Sequence, residues 1–432
     1  MKNNIQKQIK NLNKIDTFSP YFFLPFILVL YFFISLFDFH RFELFNVNTS
    51  IWPSVILALV CYYIGVYFVD KKGWTFPTLG LSFLRGYVMW MIWALVIIGG
   101  LAYFTMMTGG DVGISDESVR RNLDPKLNFL SQLLWFGAIL ILSLKIIKEK
   151  NMTKSKLLIY AVVYGVIMVM FLMMGYRTPI ILMLFTGLII FHYAVKRIKL
   201  TWFLTTLLII GVFFSLFGFF RVLSEDTSKD FNSRDQPDVE LSESDAENLI
   251  TVERKVNLVP KWIRSLNGEA VTGHIVLSKI IEYTKEEEYL NGEIHGGIFS
   301  TVLPGEQISP RMKVTEIVNS LSVEEGKYIT RPTRTTTPTY IGQLFLDGGY
   351  LLVAIGFLLY GIVVSMLYNQ VKRHGYDSYQ AVAFAFVLTI FTVSMHTGLL
   401  DLIFLLMIGF VILTAALSNA KGNDKNITTK NI

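Results

Sequence analysis

Charged residues are scarce in this sequence. Only 17% of its 432 residues are Asp, Glu, Lys or Arg, whereas 53% are hydrophobic and 14% are aromatic. The mean hydropathy is +0.49. Because a typical soluble domain carries about 25% charged residues, this composition excludes an ordinary soluble protein. It predicts an all-α polytopic membrane protein.

Cysteine is nearly absent as well, since Cys61 is the single cysteine of the chain. One cysteine excludes an intramolecular disulfide and a cysteine-based zinc site. No two histidines on the predicted outer side have the spacing of a helical metal pair, and there is no HExxH motif, P-loop, Rossmann glycine pattern or nucleophile elbow. We therefore predict neither a metal nor a cofactor.

Long apolar runs are what the sequence contains instead. Each is close to the ~17–25 residues that cross the hydrocarbon layer of a bilayer, so we predict about ten transmembrane helices. The ten runs are 20–37, 51–69, 86–106, 127–147, 157–174, 179–194, 201–220, 350–367, 379–395 and 399–417.

Lysines and arginines beside these runs predict the orientation of the chain. They cluster at both ends of the chain and in every second segment between the runs, so all of these segments lie on one side of the membrane. Because this is the side that faces the cytoplasm, we predict a cytoplasmic (inner) membrane protein with both termini in the cytoplasm. The predicted division is 1–220 as a bundle of seven spans, 221–349 as an extracytoplasmic loop, and 350–432 as three spans with a cytoplasmic tail. The net charge of +6 follows from this bias and does not indicate nucleic-acid binding.

The long loop carries its own helical signal. Apolar residues recur at helical spacing over 252–266 and again over 271–280, which predicts two amphipathic helices. The stretch 291–311 is rich in glycine and proline and predicts turns.

Two arginines flank apolar runs on the predicted outer side, against the usual bias of positive charge toward the cytoplasm. Arg177 lies in a tight turn between the fifth and sixth runs, and Arg221 follows the seventh. A guanidinium binds phosphate oxygens in a bidentate manner and keeps its charge. A polyprenyl diphosphate is an anion of this kind that its lipid holds at the membrane surface, so these two arginines are candidate ligands for one. Pro179 favours the first turn of a helix beside Arg177.

Further polar residues precede the eighth run. Arg311, Arg331 and Arg334 are each either snorkelling residues at the headgroups or phosphate ligands. The threonine-rich segment that ends at Tyr340 is either a sugar-binding surface or an extended linker.

Three short motifs carry a resemblance to a known family. They are the turn 175–179, the run 289–292 that leads to 303–304 and 309–311, and the segment 337–349 with Asp-Gly-Gly at its end. Their order resembles the oligosaccharide repeat-unit polymerases, which include the Wzy-type O-antigen and exopolysaccharide polymerases. The Asp-Gly-Gly sequence departs from the family, which often has an aromatic residue before its glycine.

The resemblance implies a GT-C-like fold. It also implies transfer of a glycan from polyprenyl diphosphate to another lipid-linked repeat unit on the extracytoplasmic face. Arg177 matches the family's turn, Arg311 matches its Pro-Arg motif, and Arg221 is added by position.

A base must also assist the acceptor hydroxyl. His274, His295 and His396, the last together with Asp401, are the candidates, and the sequence does not separate them.

Two other functions stay open at this point. An O-antigen ligase has a similar layout and transfers finished glycan to a second lipid acceptor. A transporter or flippase of lipid-linked sugars is expected to carry charged or broken positions inside its spans, whereas the runs here have almost no charge at their centres. The sugar, its linkage, a chain-length regulator as a partner and the oligomeric state are also open.

Overall fold

The computed structural model of the chain describes residues 16–37, 49–77, 86–109, 124–149, 152–173, 177–212, 268–301, 309–323, 336–376 and 378–418. These ranges are helical and contain no β-strand. The α-helices are α1 Phe23–Ile34, α2 Trp52–Lys72, α3 Val88–Thr108, α4 Pro125–Lys148, α5 Lys154–Met173, α6 Thr178–Ala194, α7 Leu200–Val212, α8 Gly268–Glu286, α9 Glu293–Gly296, α10 Pro310–Val323, α11 Thr339–His374, α12 Tyr379–Thr397 and α13 Leu402–Ser418.

Each predicted apolar run overlaps one of these helices, and residues 213–220 of the seventh run lie outside the described residues. Six of the helices are long and apolar enough to cross a membrane, and four shorter apolar helices are α1, α6, α7 and α13. The eighth run begins directly after a break at Gly348 and Gly349, and before that break the same helix extends back to Thr339. Its first turns carry polar side chains that hydropathy does not count as part of a span, and these side chains are buried.

The chain forms two compact units that do not follow its sequence order. The first unit comprises Met1–Ile64, Ile198–Leu359 and Phe391–Leu400, and the second comprises Gly65–Arg197, Tyr360–Ile390 and Asp401–Ile432. The predicted three-part division by membrane side stays a prediction.

Burial differs widely among the apolar helices. The apolar window of α12 is 94% buried within the protein, whereas that of α5 is only 6% buried. Leu158, Ile159 and Val162 of α5 are each more than half exposed. Apolar surface of this extent is stable against lipid chains, which is consistent with an integral membrane protein.

Close helix packing in the second unit depends on small residues. A Cβ atom at Gly99 of α3 would overlap the backbone of Leu134 in α4, and one at Gly137 of α4 would lie 2.7 Å from the side chain of Val96. These glycines allow the two backbones to approach each other closely, as small residues do in other membrane bundles.

The segment predicted as the long loop is partly helical. α8 confirms the amphipathic pattern over 271–280, and its buried face packs against α1, the 3-10 turn Thr49–Ile51 and α10. The first predicted amphipathic helix, 252–266, lies outside the described residues. The prediction of turns over 291–311 was wrong in part, because α9, the 3-10 turn Gly297–Thr301 and the start of α10 occupy the described portion.

Candidate functional site

An aspartate of α11 holds the segment that contains α9. The Asp347 carboxylate accepts hydrogen bonds from the backbone amides of Ile294, at 3.1 Å, and His295, at 2.9 Å. Both amides lie in the first turn of α9, where N–H groups have no partner within the helix. The residue before α9, Gly292, has no side chain to cap it. Asp347 therefore supplies the cap from elsewhere in the chain.

The same carboxylate binds the imidazole of His295. Oδ2 of Asp347 contacts Nδ1 of His295. The aspartate side chain is 0% exposed, whereas the histidine side chain is 37% exposed. Because an ionised carboxylate only accepts hydrogen bonds, Nδ1 carries a proton, and in the neutral form of the ring the lone pair is on Nε2. A histidine oriented by a carboxylate in this way is suited to accept a proton from a hydroxyl group.

A break in α11 follows directly after this aspartate. The backbone at Gly348 and Gly349 is not helical, with φ 60° and ψ −149° at Gly349. The break interrupts the helical hydrogen bonds, and the carbonyl of Leu346 accepts instead from the amide of Leu290 at 3.0 Å. Glycine is required at 349 because φ is positive and a Cβ atom would lie 2.6 Å from the hydroxyl of Tyr289.

A buried polar face precedes the break. Thr339, Gln343 and Asp347 are spaced four residues apart on one side of α11, and all three are buried. The Thr339 hydroxyl accepts from the amide of Gly342 at 3.1 Å and caps the helix. Gln343 donates to the carbonyl of Leu399 at 3.3 Å and accepts from its amide at 2.7 Å. This half of α11 thus fixes two other chain segments through polar contacts.

The end of α1 holds the other two candidate histidines. Tyr31 Oη lies 2.9 Å from Nδ1 of His396, and Ser35 Oγ lies 2.8 Å from Nδ1 of His274. Ser35 donates its one proton to the carbonyl of Phe32 at 2.6 Å. Its oxygen therefore accepts from His274, so that Nδ1 of this ring is also protonated.

His274 differs from His295 in its surroundings. It is 1% exposed, and the ring of Trp52 packs edge-on to it with 6.4 Å between the ring centroids. The preceding residue is Gly273, where a Cβ atom would overlap the hydroxyl of Tyr31. His274 is therefore a packed interior residue, while part of His295 is accessible.

The first turn of α10 lies beside α9. A Cβ atom at Gly297 would lie 2.9 Å from the ring of Pro310, and Lys313 forms an ion pair with Glu293. Arg311 is half-buried in this turn. Its position brings a permanent cation and the positive end of a helix to the segment that carries His295.

A threonine connects Arg311 to the start of α11. The hydroxyl of Thr315 donates to the Arg311 carbonyl at 2.7 Å and accepts from the Thr336 amide at 2.7 Å. Because the hydroxyl bridges the two backbones, α10 and the residues before α11 are joined. The motif segments 289–292, 309–311 and 347–349, which are separate in sequence, therefore meet within the first unit.

Arg177 belongs to the second unit. It is half-buried and immediately precedes α6, and its carbonyl accepts from the amide of Ile181 at 3.1 Å. Pro179 lies in the first turn of α6, as predicted.

Of the remaining predicted site residues, some lie outside the described residues and the others are divided between the two units. Arg221, Arg331 and Arg334 lie outside the described residues. Tyr340 is 7% exposed and packs against Phe357 with 5.4 Å between ring centroids, which favours a packing role. Asp401 is half-buried just before α13 and belongs to the second unit, whereas His396 belongs to the first.

Asp347 is the site residue that sequence analysis did not select. The available signal was an acidic residue between a polar helical start and a pair of glycines, next to an apolar run. An ionisable residue at such a position is a functional candidate in a membrane protein. Within the described part of the chain, no group of three His, Cys, Asp or Glu side chains is arranged to hold a metal ion.

Long apolar helices with lipid-suited surfaces and a polar site define an all-α integral membrane protein. The chain matches the O_anti_polymase family model, which describes O-antigen polymerases, over residues 16–234 and 263–408. The match covers most of the chain, so the protein belongs to this family, as its motifs predicted. In the comparisons with curated proteins and with solved structures, no match to the chain was found. Membership supports a role as a polysaccharide polymerase with a lipid-linked oligosaccharide substrate in a membrane.

Proposed function

We propose that the protein polymerises repeat units by transferring a glycan from a polyprenyl diphosphate donor to a hydroxyl of another lipid-linked repeat unit. The pairing of His295 with Asp347 carries this proposal. It lies where the motif segments meet, and it provides the proton acceptor that glycosyl transfer needs.

The proposed reaction assigns one role to each member of the pair. The acceptor hydroxyl gives its proton to Nε2 of His295, and its oxygen forms a bond to the anomeric carbon of the donor. The bond between that carbon and the diphosphate oxygen breaks, and the diphosphate leaves with the electron pair. Asp347 stays ionised and stabilises the imidazolium that forms. Since His295 is partly exposed, the proton can pass on to water.

Negative charge grows on the leaving diphosphate, so cations placed there lower the barrier. We assign this role to Arg311 because it lies in the first turn of α10, beside the segment of His295. Arg177 is assigned from its turn motif, and Arg221, Arg331 and Arg334 are assigned from the sequence alone. A GT-C-like fold, cytoplasmic termini, an extracytoplasmic site and a chain-length regulator as partner belong to the same proposal.

The other histidines support the site in this proposal. His274 is buried with Nδ1 bound to Ser35, and the half-buried His396 is bound to Tyr31. Their hydrogen bonds join α1 to α8 and α12, so both are positioning residues. Asp401 and Tyr340 are not needed for a step of the reaction.

The test is polymerisation by purified protein in lipid nanodiscs, with a polyprenyl-diphosphate oligosaccharide and separation of the products by length. We expect His295→Gln to lower the rate by about 10²–10⁴-fold, the usual contribution of a general base. His374→Gln is the matched control, because this histidine contacts the carbonyl of Gln370 at the far end of α11 and lies outside the site. Its rate should equal that of the wild type.

The products and the other variants decide between explanations. A ladder of lipid-linked polymers supports the proposal, whereas transfer only to a second lipid core would identify a ligase. Full activity of His295→Gln together with loss in His274→Gln would move the base to His274.

Arg177→Lys keeps the charge and loses the guanidinium fork, so an inserted protein with a lower rate supports a bidentate diphosphate contact.

A further inference from the structure

A small cavity lies at one end of three helices of the second unit. α3 begins there, α4 ends there and α5 begins there. The cavity measures about 190 Å³ and is lined by Met89, Leu144, Lys145, Lys148, Glu149 and Tyr160. This volume is below the ~300–1,000 Å³ typical of sites for drug-sized ligands, so the cavity suits one compact group of a larger molecule.

Exposed aromatic residues locate this end of the helices near the membrane surface. Tyr87 and Trp90, at the start of α3, are 60% and 75% exposed. Tyrosine and tryptophan concentrate at the level of the lipid headgroups. On α5 the exposed apolar residues Val162 and Val166 follow the cavity-lining Tyr160 along the helix. The cavity therefore lies between the aqueous phase and the lipid-facing surface.

Positive charge is concentrated in the lining. Lys145 and Lys148 both lie in the last turn of α4, where the helix dipole favours cations. The ammonium of Lys148 is 5.1 Å from the ring centroid of Tyr379, a cation–π contact that restrains it. Glu149, the acidic residue of the lining, pairs with Lys156 at 2.9 Å, which offsets its charge.

We propose that this cavity binds the phosphate of an anionic phospholipid headgroup. Lys145 and Lys148 bind the phosphate oxygens, and the hydroxyl of Tyr160 is available as a further donor. Met89 and Leu144 contact the glycerol and the start of the acyl chains. Basic pockets between transmembrane helices bind anionic headgroups by this chemistry. The proposal is independent of the polymerase mechanism.

The test is native mass spectrometry of the detergent-purified full chain, titrated with phosphatidylglycerol, with phosphatidylcholine of the same acyl chains, or with inorganic phosphate. We expect retention of phosphatidylglycerol, and about ten- to thirty-fold weaker binding in Lys145→Gln/Lys148→Gln. Lys145→Arg/Lys148→Arg should restore binding, which also shows that the site tolerates substitution.

A matched control uses another pair of lysines at the end of a helix. Lys71 and Lys72 occupy the last turn of α2, and Lys71 lies 5.6 Å from the ring centroid of Tyr67, but neither lines the cavity. Lys71→Gln/Lys72→Gln should bind as the wild type does. Equal loss in both double variants would mean general surface attraction and would overturn the proposal. Equal binding of the two lipids, or occupancy by inorganic phosphate that lipid does not displace, would overturn it as well.

Discussion

The two ends of α11 use the same spacing of polar residues for different partners. In the first unit, Thr339, Gln343 and Asp347 follow one another at intervals of four. In the second unit, the same interval separates Ser365, Asn369 and Arg373. Because residues four apart lie on one face of a helix, each set forms a polar stripe within an apolar sequence.

The second stripe binds only neutral groups, nearly all of them backbone carbonyls. Asn369 donates to the carbonyls of Val69 at 3.4 Å and Trp74 at 3.2 Å, and Arg373 donates to the carbonyl of Gly73 at 2.6 Å. These carbonyls surround the end of α2, where Gly73 adopts a positive φ of 61°. The stripe satisfies groups that a helix end leaves without partners.

The first stripe ends on a titratable side chain. Asp347 binds the imidazole of His295 in addition to two backbone amides, whereas Asn369 binds carbonyls alone. A buried polar residue in an apolar helix is thus not by itself a sign of chemistry. The comparison teaches that the partner distinguishes the two uses, and substitutions at the two ends should therefore differ in what they change.

The largest expected difference concerns Asp347→Asn. The oxygen of the new side-chain amide can still accept hydrogen bonds from the backbone N–H groups of α9. Because this side chain is neutral, it no longer stabilises an imidazolium at His295. We expect polymerisation to slow by roughly 10²–10⁴-fold, with an altered pH profile of the rate, in protein that remains folded. The measurement is the initial rate across pH, with size-exclusion behaviour as the folding check. An unchanged rate and profile would reduce Asp347 to a helix cap.

A smaller difference is expected between two glycines that share a positive φ near 60°. At Gly349 a Cβ atom would lie 2.6 Å from the Tyr289 hydroxyl, whereas at Gly73 the nearest atom, Nη2 of Arg373, is 3.5 Å away. Gly349→Ala should cost roughly 2–4 kcal/mol of unfolding free energy, from backbone strain and overlap. Gly73→Ala should cost only about 1 kcal/mol, from backbone strain.

Denaturant unfolding in detergent measures both glycine variants. Adding Tyr289→Ala to Gly349→Ala should recover part of the loss, because the overlapping ring is removed. Equal costs at the two glycines would show that the contact with Tyr289 is easily relieved.

The smallest expected effect on polymerisation belongs to Asn369→Leu. Loss of its two N–H donors leaves the Trp74 carbonyl without this partner, which should lower the free energy of unfolding by about 1–2 kcal/mol. Polymerisation per folded molecule should not change, in contrast to Asp347→Asn. The unfolding midpoint and the rate are measured on the same preparation. Ser365→Ala is the control, since its hydrogen bond to the Val66 carbonyl is long, at 3.5 Å, and its loss should barely alter stability. A slowed reaction in Asn369→Leu would erase the distinction between the two stripes.

Most helices were predictable because lipid imposes a simple rule on sequence. A helix that faces lipid or an apolar core must be apolar over its length, so its run is visible without tertiary information. The amphipathic α8 was visible for a similar reason, through the periodicity of Val271, Ile275 and Ile280.

The site was only partly predictable. His295 was one of three candidate bases, but its partner Asp347 lies 52 residues away, a contact that no local pattern specifies. The start of α11 was also missed, because Thr339 and Gln343 read as a polar linker in sequence. Their polarity is satisfied by capping and by the backbone of Leu399, and both contacts exist only in the folded chain.

The contrast in burial between α5 and α12 has a consequence for how the sequence can change over time. Side chains of α5 have few protein neighbours to fit, so one apolar residue can replace another there at little cost. Those of α12 fill a close-packed interior, where even a methylene group alters the packing. Among relatives of this protein, α5 should therefore diverge rapidly while keeping its hydropathy, and α12 should change slowly, mainly through substitutions that compensate one another in volume.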